Sequence, residues 1–200
     1  MNTSQSSDSW GNRMMRRFLG SHWPWCLAYG VLVLFVFSRY LVTGEHVLSQ
    51  AGTDAFSYYI YSYKLGLEGL RGADLVFWNP YNYGGQPFFG QMQSALFYPA
   101  TWLVAPLPLA DALNALVCGH QWLLALGMYG WCVSRGMRRP AAFFAGAIMM
   151  LGSQYMLHAY AGHVSNLCCM AWIPFIFWGI NADRPRCDSK FLLDGLHREL

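Results

Sequence analysis

Charge is the scarcest property of this chain: acidic and basic side chains together make up 12% of its 200 residues, about half the share of roughly 25% usual in soluble domains. So little charge excludes an ordinary soluble surface. The net charge is only +3, and the Lys and Arg residues flank apolar runs instead of gathering along one face, which argues against nucleic acid as a partner. No Cys-x-x-Cys pair occurs, so a zinc or disulfide reading has no spacing to stand on. Five of the six cysteines (Cys26, Cys118, Cys132, Cys168 and Cys169) lie inside apolar runs and Cys187 in a basic tail. Such thiols are expected to stay reduced and to act as small buried hydrophobes. No apolar run carries a row of acidic residues, which sets ion transport aside. Internal repeats are missing, as is low complexity beyond the polar first residues.

What the chain has instead is apolar length. Hydrophobic residues make up 55% of it, and four runs, residues 25–42, 112–133, 141–157 and 164–180, are long enough at about 1.5 Å per residue to be read as membrane-spanning helices. The first run exceeds a signal-peptide core of about 7 to 15 residues, and Val42-Thr43-Gly44 is a poor cleavage site, so an uncleaved anchor is expected. Basic residues fix the sides. Arg13, Arg16 and Arg17 in segment 1–24, three arginines in the turn 134–140, and Arg184, Arg186 and Lys190 in the tail 181–200 place these segments together in the cytoplasm. The loop 43–111 and the turn 158–163 then lie outside. The expected fold is an all-α integral membrane protein with about four spans and a long outer loop.

Within that loop, residues 74–111 are apolar enough for a membrane yet cannot form a membrane helix. Pro80, Pro87, Pro99, Pro106 and Pro108 each remove a backbone donor, and Gly84-Gly85 favours a turn. An irregular segment at headgroup depth is expected, rich in the aromatic residues that settle there. Residues 54–70 place Phe56, Tyr59, Ile60, Tyr63, Leu67 and Leu70 at helical spacing, which predicts an amphipathic surface helix. Thr53 or Asp54 suits its N-cap.

Three segments carry a resemblance: GTDAFSYY at 52–59, WNPYNYGGQPFFGQMQSALFYP at 78–99 and AGHVSNLCCMAWIPFIFW at 161–178. Together the arrangement resembles the N-terminal part of the YfhO-type bacterial membrane proteins, which are similar to the GT-C class of integral membrane glycosyltransferases. The resemblance implies a bacterial inner membrane protein that transfers a sugar from a polyprenyl-phosphate donor to an acceptor at the outer face. Such proteins are several times longer, so the tail 181–200 is expected to lead into further spans, or the chain to work with a partner subunit. The competing expectation is a non-catalytic carrier of a lipid-linked sugar or an accessory assembly subunit, favoured by the absence of a second carboxylate beside Asp54.

The resemblance points to Asp54 as the acidic residue of the first outer loop. There it could act as the base that takes the acceptor's hydroxyl proton or as an oxygen ligand of a divalent cation; the alternative for the same residue is the helix cap. Arg39, Lys64 and Arg71 are candidates for the lipid phosphate, against snorkelling or solvated charge. Trp78, Asn79, Tyr81, Gln86 and Gln93 combine aromatic faces with polar edges suited to a sugar or headgroup, or to satisfying a tight loop. His163 matches the family's Gly-His element and could donate to a phosphate or sugar, or cap a helix. His120, Gln121 and His158 could be interhelical hydrogen-bond partners.

Overall fold

The computed structural model describes residues 21–43, 46–50, 52–90 and 95–181. The expectations for the basic N-terminus up to residue 20, for Gln93 and for the tail from residue 182 lie outside these residues. Helix α1 (Trp23–Thr43) is followed by a π turn (Ala55–Tyr59), α2 (Ile60–Arg71), a hairpin of β1 (Trp78–Asn79) and β2 (Gln86–Pro87), and α3 (Pro99–Val104). The remainder is helical: α4 (Leu109–Ser134), α5 (Arg139–Leu151), α6 (Ser153–Ala161), α7 (Val164–Met170) and α8 (Ile173–Ile180).

Three helical stretches among the described residues, Trp23–Leu41, Leu109–Ser134 and the α5–α6 run Arg139–Ala161, are long and apolar enough to cross a membrane. The protein is mostly helical and of membrane type. The fourth expected span differs. Val164–Ile180 is a shorter apolar stretch, divided at Ala171–Trp172, and Pro174 in the first turn of α8 starts a new helix where its missing N–H is harmless.

Helix α4 is the centre, packed against α1, α3, α5, α7 and α8. Its 26 residues reach about 39 Å, more than the roughly 30 Å of hydrocarbon. Helix α1 buries Tyr29, Val33 and Phe37, spaced four apart on one face, and leaves Leu27, Val31, Leu34 and Phe35 outward, as a helix facing lipid should. The Tyr29 hydroxyl donates to the Phe143 carbonyl at 2.8 Å, and a Cβ at Gly146 would collide with that hydroxyl, so glycine lets α5 approach α1. The second cluster joins Leu113, Leu116, Val117 and Leu124 of α4 to Tyr155, Val164 and Leu167, and takes in Tyr63 of the surface helix α2.

The expected surface helix over 54–70 is present with an altered start. Its first turn is of π type, which inserts one residue per turn and shifts the register: Ala55 is buried whereas Phe56, assigned to the apolar stripe, is 44% exposed. Neither expected cap operates. Asp54 makes no capping bond, and the Thr53 hydroxyl donates backwards to the Gln50 carbonyl at 2.7 Å.

The Pro-rich loop, expected to be irregular apart from short helices, also contains a hairpin in which Trp78 pairs with Pro87 and Asn79 with Gln86. Tyr83, Gly84 and Gly85 all take positive φ in its turn, and the Trp78 indole lies so close over Gly85 that a Cβ there would meet it at 2.8 Å. Phe88, fully buried, anchors the hairpin under α2 beside Gly66.

Candidate functional site

The chain returning from α1 is tied down by Asn114, a fully buried residue of α4. Its carboxamide oxygen accepts the Leu48 N–H at 2.8 Å, and its nitrogen donates to the carbonyls of Tyr40 at 3.0 Å and His46 at 2.7 Å. The Gln50 N–H and the Ser49 hydroxyl then both donate to the Tyr160 carbonyl at the end of α6, at 3.2 and 3.0 Å. These bonds seat the start of the long loop after α1 on the turn between α6 and α7.

That turn is a Schellman motif. Gly162, at φ +80, donates to the Ala159 carbonyl at 3.0 Å, and the His163 N–H donates to the His158 carbonyl at 3.0 Å, the paired bonds that close a helix on a left-handed glycine. The motif brings the residues at its two ends together, commonly through an apolar contact; here the contact is between two imidazoles. A Cβ on Gly162 would collide with the Ala55 methyl and lie 2.9 Å from the Ala55 Cα. Glycine therefore allows the π turn to rest directly on the Schellman turn, and Asp54 is carried to His163.

The carboxylate Oδ2 of Asp54 accepts from His163 Nε2 at 3.0 Å. The Asp54 side chain is 67% exposed and that of His163 23%, so the pair sits at the surface with the imidazole on the inner side. On its other nitrogen, His163 Nδ1 contacts His158 Nδ1 at 3.1 Å, and His158 Nε2 contacts Gln154 Nε2 at 3.4 Å. The Tyr59 ring lies 5.5 Å from that of His163. Burial, with the Asp54 charge second and Tyr58 third, pushes the Tyr59 phenol above its ordinary value and keeps it neutral.

Beyond the π turn an open cleft of about 510 Å³ separates α2 from the hairpin. Ser57, Tyr61, Lys64 and Glu68 form one wall and Asn79, Tyr81 and Asn82 the other. Lys64 Nζ lies 4.0 Å from Glu68, so the two opposite charges balance within the cleft. Hydroxyls, carboxamides and the 82% exposed Tyr81 ring line a space without net charge, suited to a neutral polar ligand and poorly suited to a phosphate.

Of the residues singled out in the sequence, Asp54 and His163 meet, and Lys64, Asn79 and Tyr81 share the cleft. Trp78 packs on Gly85, and Gln86 stands opposite Asn79 in the hairpin with its amide nitrogen buried and unpartnered among the described residues. Arg71 is engaged elsewhere: its Nε donates to the Ala105 carbonyl at 2.6 Å and Nη2 to that of Leu107, which fastens the end of α2 to the α3–α4 connection. Arg39 is exposed near the end of α1. His120 bridges the Leu116 carbonyl, 2.6 Å, and the Tyr98 hydroxyl, which also accepts from the Trp172 indole at 2.9 Å. Gln121 donates to the Met150 carbonyl at 2.7 Å.

Gln154 and Gly162 carry weight that the sequence reading did not assign, although His158-x-x-x-Gly162-His163 is legible as a Schellman ending. Among the described residues no three His, Cys, Asp or Glu side chains are arranged to hold a metal ion. Comparison with family models, curated proteins and solved structures finds no match for the chain.

Proposed function

We propose that the chain is a GT-C-like membrane glycosyltransferase, or the N-terminal part of one, working at the outer face of a bacterial inner membrane with its N-terminus in the cytoplasm. The observation that carries the reading is the Asp54–His163 pair: an exposed carboxylate oriented by an imidazole, at the end of membrane helices and on the same helical segment as a charge-balanced cleft. His163 occupies Oδ2, leaving Oδ1 for a substrate hydroxyl. In the proposed step Asp54 takes the proton of the acceptor hydroxyl as its oxygen attacks the anomeric carbon. The bond from that carbon to the phosphate oxygen breaks, and polyprenyl phosphate leaves with the electron pair. Lys64 faces Glu68 and Arg71 is bound to backbone carbonyls, so both are assigned to shaping the loop and not to the leaving phosphate. The cleft is assigned to the neutral sugar.

The test is Asp54→Asn, which keeps size and removes the base. In membranes supplied with a radiolabelled polyprenyl-phosphate sugar, transfer to endogenous acceptor should fall to background while the protein still inserts and folds. Transfer at the unaltered rate in that variant would remove Asp54 from the chemistry; a chain that binds the lipid-linked sugar without transfer, with or without Asp54, would identify a carrier instead.

A further inference from the structure

We propose that His158, held by Gln154, is a positioning residue that fixes the tautomer and orientation of His163, so that Asp54 always faces an N–H donor. The heavy-atom contacts admit one assignment of protons when both rings are neutral. A carboxylate only accepts, so His163 must carry its proton on Nε2 toward Asp54. Its Nδ1 is then a lone pair, and the partner 3.1 Å away, His158 Nδ1, must be the donor. A neutral His158 with its proton on Nδ1 presents a lone pair at Nε2, where the Gln154 amide nitrogen stands as donor. All three links point the same way, from Gln154 at the exposed face of α6 to Asp54.

Such aligned bonds polarise one another toward the terminal acceptor. An exposed ion pair alone holds a side chain weakly. His163 is pinned at both nitrogens, and the backbone already pins its neighbour, since His158 and His163 are the two ends of one Schellman bond. The tautomer assignment stands on hydrogen-bond geometry; its service to catalysis rests on the reading of Asp54 as the base.

The experiment is ¹⁵N spectroscopy of the full chain in detergent micelles with labelled histidine, in alkaline buffer where the imidazoles are neutral. His158 should show the Nδ1–H form, the minor tautomer of a free histidine side chain, and His163 the Nε2–H form. In His158→Leu, where only the exposed Asp54 contact remains, the His163 signals should move part of the way toward the averaged values of a free ring. His158→Asn, which keeps an N–H near the position of Nδ1, should restore them. An Nε2–H tautomer at His158 in the unaltered protein overturns the proposal without any variant having to fold; so does a His163 signature indifferent to His158→Leu. The signature is read without substrate. Its absence, with transfer still lost in Asp54→Asn, would defeat the lock alone; its presence, with transfer surviving, would defeat only the base.

Discussion

Replacing Gly162 with alanine should disrupt the site by separating its two halves. At φ +80 an L-residue is strained by about 1–2 kcal/mol. The new methyl would also collide with the Ala55 methyl and crowd the Ser49 hydroxyl at 3.1 Å, and overpacking of this kind costs about 1–3 kcal/mol. The expected loss is therefore about 2–5 kcal/mol, the upper end applying if the π turn cannot move off the Schellman turn. Unfolding of the full chain by titration with sodium dodecyl sulfate in mixed micelles measures it. Gly119→Ala is the control: Gly119 lies inside α4 and a Cβ there meets nothing within 4 Å, so alanine should stabilise by about 0.5–1 kcal/mol. The two substitutions add the same atoms and should move stability in opposite directions. Shifts of equal sign and size would refute the claim that contact through Gly162 holds the turns together.

Asn114→Leu should be more damaging than its size suggests, because it strands the Leu48 N–H and leaves the Tyr40 and His46 carbonyls without their amide partner. At about 1–3 kcal/mol per stranded buried group, a loss of about 3 kcal/mol or more is expected in the same titration. Asp54→Asn, in contrast, should change stability by less than about 1 kcal/mol, since an exposed pair contributes little, so the expected loss of transfer cannot be an effect of unfolding. Stability should also fall in alkali. Burial raises the phenols of Tyr59 and Tyr63 above the ordinary 10.0; a raised folded value contributes stability that is intact below the unfolded value and lost as pH rises past it. Unfolding titrations should therefore be level below about pH 10 and decline above it, and in Asp54→Asn the Tyr59 phenol should ionise at lower pH, because one raising charge has gone.

The membrane helices were legible because span length and hydropathy are local properties, and the first run was placed to within two residues of Trp23–Thr43. Interruptions were harder to read. Gly152, with ψ 145, divides α5 from α6, and a lone glycine in an apolar run does not announce a break. Pro174 was visible, yet proline in the first turn of a helix is equally compatible with a continuous span. At the site, Asp54 and His163 were each picked out from separate segments by resemblance. Their contact spans 109 positions and depends on Ala55 fitting against a glycine that has no Cβ, which no local pattern encodes. The bonds of Arg71 were not legible for the converse reason: its position on a surface helix is local, whereas the carbonyls it meets belong to the turn before α4.

The buried polar residues of α4 explain how so much irregular backbone is tolerated among apolar helices. An unpaired carbonyl or N–H costs several kcal/mol in hydrocarbon, so each break needs a donor or acceptor brought to it by a neighbour. Asn114 serves the chain reversal after α1, and Gln121 takes the Met150 carbonyl beside the Gly152 break. His120 holds Tyr98, and through it Trp172 at the joint between α7 and α8. All three stand on α4, the longest helix among the described residues, and Asn114 and Gln121 are fully buried. A regular helix has no spare backbone groups in its interior, so its side chains are available to partner the groups that irregular neighbours leave open. The regularity of α4 is thus what allows the loop after α1, the broken α5–α6 run and the α7–α8 joint to depart from helix, and two of these departures, the loop and the end of α6, bring Asp54, His163 and His158 together.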